Sequence, residues 1–269
     1  MRYLPTLTIA GSDSSGGAGI QADIKTMSAL GCYAMSVITS ITAQNTCGVS
    51  AVAPLSVNLV KAQLDAVLED ITPLAIKIGM LFSSEIIQCI ASQLSKLNIP
   101  LVIDPVMVAT SGDWLMDKAA INHLISELLP LSTVITPNLS EAEALSGVKI
   151  TSQSSLEKAG TWFLSHGAKA VLIKGGHTWD KEATDYLFYD KGFKSFTHNR
   201  IESRNTHGTG CTLSSAITAY LAQGYALPQA VALGKEYLTT ALLSGKEVSI
   251  GNGHGPVDHF FDPHRSIKL

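Results

Sequence analysis

The sequence predicts an α/β domain: a mostly parallel central sheet flanked by helices on both faces. Short apolar runs at residues 7–10, 37–41, 74–78, 101–103, 133–135 and 170–173 have the continuous character of strands buried on both sides. Helical periodicity or a loop leading to it follows each run, and such strand–helix–strand repetition calls for parallel pairing with right-handed crossovers. In such sheets ligands sit beyond the carboxyl ends of the strands, so the loops there are the places to look for chemistry.

The elements follow in order. Between the first two strands Ile20, Ile24, Met27 and Leu30 share one helix face, in a helix expected to begin near Gly16 and to close with Gly31 as its C′ residue. Val57, Val60, Leu64, Val67 and Leu68 make a second face behind Ser56 as N-cap, and Ile86, Ile87, Ile90, Leu94 and Leu97 a third. Across residues 183–201 the period drops to two, with Asp190, Lys191 and Gly192 as the turn of an antiparallel edge hairpin. Helical character returns at 212–222 and 228–243, and a tail containing glycine and histidine starts at Gly251. With no linker, repeat or low-complexity tract, residues 1–269 are expected to form a single domain.

Composition narrows the function. The 269 residues are 46% hydrophobic and 15% charged, the balance of a tightly packed globule. A formal charge of −3 supplies no basic field for a phosphate backbone, so no nucleic acid partner is expected. The N-terminal segment carries one Arg and only a short apolar run before Asp13, and no stretch reaches the ~18 apolar residues of a membrane span, so neither secretion nor membrane association is expected. Cys32, Cys47, Cys89 and Cys211 lack CxxC spacing and zinc-type His companions, which fits a reducing, cytoplasmic setting.

Four loops could carry chemistry. Residues 11–19, GSDSSGGAG, place backbone amides at a helix start, suited to a small anion or polar ligand group, although neither a dinucleotide fingerprint nor a P-loop Lys is present. A purely structural turn is equally compatible. Residues 205–211, NTHGTGC, open the helix after them in the same way, so the amides of Gly208 and Gly210 could face a phosphoryl group. Cys211 would sit in that helix's first turn, where the positive dipole end lowers a thiol pKa and makes a general base available; the plainer alternative is a small buried Cys. Glu141, three residues after Asn138, and Asp104 at the end of the fourth strand suffice for Mg²⁺, which needs one or two carboxylates beside phosphate oxygens. Glu141 could equally serve only its helix N-terminus. Lys174 closes the sixth strand before Gly175 and Gly176, where its ammonium can reach phosphates.

The segments TIAGSDSSGGAGIQADIKT, KIGML, DPVMVATSG, ITPNLSEAEAL, IKGGH and NTHGTGCTLSSAI, in this order over nearly the whole chain, resemble the hydroxymethylpyrimidine and phosphomethylpyrimidine kinases of thiamin synthesis, within the ribokinase-like superfamily. The resemblance implies a ribokinase-like fold and ATP as co-substrate. It places the nucleotide on Lys174, Thr209 and Lys235, the metal acid at Glu141, and an anion hole along the backbone from Gly208 to Cys211. It places a small-molecule pyrimidine substrate on Gly11, Asp23, Gln44, Met80 and Val106. The Gln44 carboxamide has a chemical reason, since its coplanar acceptor and donors match a ring nitrogen beside an exocyclic amine. Where the wider superfamily has Asp as base this chain has Cys211, a pattern shared with some pyridoxal kinases, so pyridoxal is the rival substrate. A cysteine hydrolase or acyltransferase, with Cys211 as nucleophile and His207 or His177 as base, is the rival of another class, although Thr212 and Leu213 do not make a nucleophile elbow. The edge hairpin is expected to pair across a two-fold axis in a homodimer.

Overall fold

The computed structural model describes residues 1–107, 118–175 and 182–269. His177, and most of the DPVMVATSG segment beyond Met107, lie outside the described residues.

A sheet of nine strands in the order β3-β2-β1-β4-β5-β6-β7-β8-β9 forms the centre of the described structure. β1 (Pro5–Asp13), β2 (Tyr33–Asn45), β4 (Ala75–Ile78), β5 (Leu101–Ile103), β6 (Val134–Ile135) and β7 (Ala170–Lys174) run parallel. β3 (Gly48–Pro54) returns antiparallel to β2, and β8 (Glu182–Tyr189) and β9 (Gly192–Asn199) form the antiparallel hairpin that the period of two predicts. The parallel strands alternate their side chains between two cores. On β7, Val171 and Ile173 join the core shared with Leu7, Ile9, Ile87 and Phe163, whereas Ala170 and Leu172 join Met27, Leu213, Ile217 and Val231 on the other face. Helices therefore cover both faces. Each Leu, Ile or Val that is fully enclosed contributes roughly 1.5–3 kcal/mol of transfer free energy.

α1 (Gly19–Ala29), α7 (Thr209–Ala222) and α8 (Leu227–Gly245) supply the second core, and α2 (Val57–Asp70), α3 (Ser84–Leu94), α4 (Lys118–His123), α5 (Leu139–Ser146) and α6 (Gln153–Ser165) lie along the first. The Ser56 hydroxyl accepts the Leu59 amide as an N-cap, as the sequence suggests. Gly31 follows α1 with φ +83°, the left-handed conformation expected of a C′ glycine.

Three boundaries differ from expectation. α1 begins at Gly19 rather than near Gly16, because the Asp13 carboxylate accepts the amides of Ser15, Gly17 and Ala18 and holds that stretch as a turn. α7 begins at Thr209, three residues before the predicted start, since glycine at 208 and 210 hides the helical period. The β2–β3 ribbon is longer than the predicted second strand, and its exposed outer face carries little apolar signal. At the amino edge of the sheet, Arg2 and Leu269 exchange backbone hydrogen bonds at 3.0 and 2.7 Å.

Candidate active site

All the loops singled out in the sequence converge at the carboxyl edge of the parallel strands, around a cavity of about 700 Å³. β1 delivers Gly11, β2 delivers Gln44, and the turn after β4 delivers Met80. β5 is followed by Asp104 and Val106, β6 by Glu141, and β7 ends in Lys174. The start of α7 supplies Gly208, Thr209, Gly210 and Cys211, and α8 supplies Lys235. Of the candidate residues among those described, only Asp23 does not line the cavity.

Asp23 is fully buried beneath the floor. Its carboxylate accepts Lys77 Nζ at 2.8 and 2.9 Å, Thr8 Oγ1 at 2.6 Å and Ser215 Oγ at 2.7 Å, which satisfies it inside the protein and removes it from contact with a substrate. Lys77 carries no signal in the sequence, because a lysine in a four-residue buried strand reads as an interruption of an apolar run. Burial alone would lower its pKa, but the Asp23 carboxylate outweighs that, so the ammonium is held charged under the cavity floor.

The two glycine-rich loops behave differently. In the first, Asp13 Oδ1 accepts the Ser15 amide at 2.8 Å and Oδ2 accepts those of Gly17 and Ala18 at 3.1 and 2.8 Å. His207 Nε2 lies 2.8 Å from the same Oδ2. Burial disfavours the Asp13 charge, but the bonds from His207, Ser15 and Ala18 prevail and hold the pKa down at about 2. The loop is thus occupied by its own carboxylate, and its amides are not free for an anion as the sequence suggested.

In the second loop, Thr212 N is bonded to Gly208 O as in a regular helix, while among the described residues the amides of Gly208, Gly210 and Cys211 have no protein acceptor. Gly208 has φ +76°, and a Cβ there would overlap the Gly17 carbonyl oxygen, so only glycine fits where the two loops cross. The open amides stand beside Lys174, whose Nζ would lie 3.3 Å from a Cβ placed on Gly210.

Lys174 Nζ is paired with Asp104 Oδ1 at 2.9 Å. Burial opposes the charges of both groups, yet each holds the other ionised, with Lys77 also lowering the Asp104 pKa. Glu141 is 7% exposed and forms a capping box: Asn138 N donates to its Oε2 at 2.7 Å while Asn138 Oδ1 accepts the Glu141 amide. Burial pushes its pKa up to about 7, opposed by Lys174 and reinforced by Asp104. Lys235 Nζ is paired with Asp185 Oδ2 at 2.7 Å, and Asp185 Oδ1 accepts the Gly175 amide, a partner that no local pattern in the sequence indicates.

Cys211 departs from expectation in its acidity. Its thiol is pushed up to about 11 by burial, against the pull of Lys77 and of the Gly19 amide, so the site holds a thiol rather than the thiolate that its place in the helix implied. His207, the candidate partner in a hydrolase, has its Nε2 directed to Asp13.

A cluster of open amides, a lysine and a carboxylate pair, lining one cavity with a carboxamide and apolar side chains, is suited to holding a phosphoryl donor against a small polar ring. Comparison with known proteins agrees. Residues 13–258 match the family model described as phosphomethylpyrimidine kinase. A hydroxymethylpyrimidine/phosphomethylpyrimidine kinase of Rhizobium meliloti is 51% identical over 94% of this chain and 96% of its own. A phosphomethylpyrimidine kinase crystal structure from Clostridium difficile shares 51% identity at a TM-score of 0.79, covering 88% of this chain and 99% of its own. A Staphylococcus aureus pyridoxal kinase with AMP-PCP and pyridoxal superimposes at a TM-score of 0.87 with 37% identity, covering 95% of this chain and 93% of its own.

Proposed function

The chain belongs to the phosphomethylpyrimidine kinase family, and from that premise we propose how its cavity carries out the ATP-dependent phosphorylation of 4-amino-5-hydroxymethyl-2-methylpyrimidine, and of its monophosphate, in thiamin biosynthesis. The observation that carries the reading is the row of amides at Gly208, Gly210 and Cys211, without an acceptor among the described residues, beside Lys174 in the cavity that Gln44 also lines. The aminopyrimidine lies between Met80 and Val106, with Gly11 leaving room for the ring and the Gln44 carboxamide meeting the ring nitrogen and amine. Phosphoryl transfer asks little covalent chemistry of a protein. Lys174 and the open amides receive the charge on the transferring group, Thr209 and Lys235 hold the nucleotide, and the hydroxymethyl oxygen attacks in line.

In its thiolate form Cys211 Sγ takes the alcohol proton and becomes the thiol. With the thiol pKa raised, only a minority is ionised at neutral pH, which fits a reaction in which positioning and charge supply most of the barrier reduction. Asp104 and Glu141 suit Mg²⁺, which takes one or two carboxylates and completes its shell with water and phosphate oxygens. The buried charge that Asp104 keeps and the strained ionisation of Glu141 are what a nearby cation would relieve. Bound there, Mg²⁺ would neutralise phosphate charge.

No helix among the described residues is long and apolar enough to cross a membrane. A cytoplasmic location and a homodimer built on the β8–β9 edge belong to the same proposal; sedimentation of the purified chain tests the second. Pyridoxal is a second candidate acceptor, supported by the likeness to the pyridoxal kinase. A coupled ATP-consumption assay offering hydroxymethylpyrimidine and pyridoxal side by side tests the assignment: preference for the pyrimidine supports it, and turnover of pyridoxal alone removes it.

A further inference from the structure

The Gln44 carboxamide sits among groups that one of its two orientations satisfies and the other does not. As placed, its Oε1 lies 3.0 Å from Thr42 Oγ1 and its Nε2 lies 3.5 Å from His207 Nε2, the reverse of the orientation that the surrounding protons favour. A half-turn about the last side-chain bond exchanges its oxygen and nitrogen, and the neighbouring protons decide between the two arrangements.

Asp13, ionised and acceptor-only, stands 2.8 Å from His207 Nε2, so that nitrogen carries a proton and points it at the carboxylate. Thr42 has one hydroxyl proton, and Ser12 O accepts it at 3.0 Å. With the carboxamide oxygen toward Thr42, that single proton would serve two acceptors while the amide NH₂ confronted the His207 N–H. With the NH₂ toward Thr42, a complete chain forms: the Gln44 NH₂ donates to Thr42 Oγ1, Thr42 donates to Ser12 O, and His207 Nε2–H, bonded to Asp13, also faces the Gln44 oxygen. The backbone of residue 44 is clamped as well, because Ser14 Oγ accepts the Gln44 amide at 2.9 Å and donates to the Gln44 carbonyl at 2.8 Å. Leaving a donor or acceptor of the buried Thr42 or His207 poorly matched is costly, so one orientation is preferred.

We propose that Thr42 on one side and the Asp13–His207 pair on the other are positioning residues that lock the Gln44 carboxamide in one orientation, and so select a ring presenting an acceptor nitrogen beside an amino group over one with the reversed pair. The inference rests on Gln44 as the pyrimidine contact. It also gives the first glycine-rich loop a role in specificity, since Ser12, Asp13 and Ser14 each bear on residue 44 or on a group that orients it.

The test compares dissociation constants for hydroxymethylpyrimidine and for its 4-oxo analogue, whose ring N–H and carbonyl reverse the donor and acceptor. Thr42→Val keeps the β-branched shape and removes only the hydroxyl. It should lower the amino-over-oxo preference by roughly 10-fold while leaving ATP affinity unchanged, and Thr42→Ser should restore the preference. Thr42→Ala is read by the same ratio if Thr42→Val does not fold. An unchanged ratio, with Gln44→Ala still weakening the pyrimidine, overturns the positioning role alone. If Gln44→Ala leaves pyrimidine affinity intact, the pocket assignment itself fails and this inference with it.

Discussion

The two glycine-rich loops are a natural experiment in what such loops do. Both precede a helix, both offer several amides, and they pack against each other at Gly17 and Gly208. In one, a carboxylate within the loop takes up the amides; in the other the loop has no such carboxylate, and the amides of Gly208, Gly210 and Cys211, residues that line the cavity, have no acceptor among the described residues. Glycine content therefore does not identify an anion site. What matters is whether the loop carries an acceptor of its own: Asp13 turns the first into a scaffold, and without one the amides of the second stay open.

The largest effect should come from the second loop. Cys211→Ala should cut kcat by roughly 10²–10⁴ with little change in substrate affinity, and Cys211→Asp should recover part of it. The pH profile sharpens this: the thiolate is the basic form, so wild-type activity should climb as pH rises toward about 11, whereas the aspartate variant, already ionised, should be flat above about pH 5. Full activity in Cys211→Ala would leave the reaction to positioning alone.

Gly208→Ala attacks the crossing of the loops. Strain at a positive φ costs about 1–3 kcal/mol, and the clash with the Gly17 carbonyl adds to it, so thermal unfolding should drop by several degrees together with activity. A wild-type melting temperature would show that the crossing can open.

Acid should expose the scaffold loop first. Asp13 has a folded pKa of about 2 against an ordinary 3.8, so its charge stabilises the fold above about pH 4, and that contribution is lost as pH falls toward 2. The difference amounts to at most about 2 kcal/mol, and it should vanish from the pH–stability curve of Asp13→Asn. An identical acid limb in the variant would mean that the carboxylate is not what organises the loop.

The smallest expected effect concerns the metal. Glu141→Gln preserves the capping geometry with an amide in place of a carboxylate, and should raise the Mg²⁺ concentration for half-maximal rate by several-fold, about 1 kcal/mol, without weakening the pyrimidine. An unchanged Mg²⁺ titration would confine Glu141 to its helix terminus.

Much of this was legible in the sequence because it rests on local pattern. Buried parallel strands announce themselves as apolar runs such as 170–173, the hairpin by its period of two, and the site by the rule that ligands lie at strand carboxyl ends. What escaped depends on partners far away in the chain. Asp13 and Asp23 are both acids near a glycine-rich loop, and nothing local says that one is bonded to His207 while the other neutralises Lys77. Nor does the position of Cys211 in a helix's first turn reveal the burial that outweighs the dipole.

The crossing of the loops also bears on how the molecule comes into being. The bond between His207 and Asp13 joins residues 194 positions apart, so closing it requires ordering most of the chain between them. During synthesis the strands from β1 to β7 can pair before the second loop has been made, but the cavity's wall of open amides can arrive only with the last third of the polypeptide. The catalytic centre should thus be among the last features to consolidate, and a truncated chain, however much sheet it retains, would have no means of turnover.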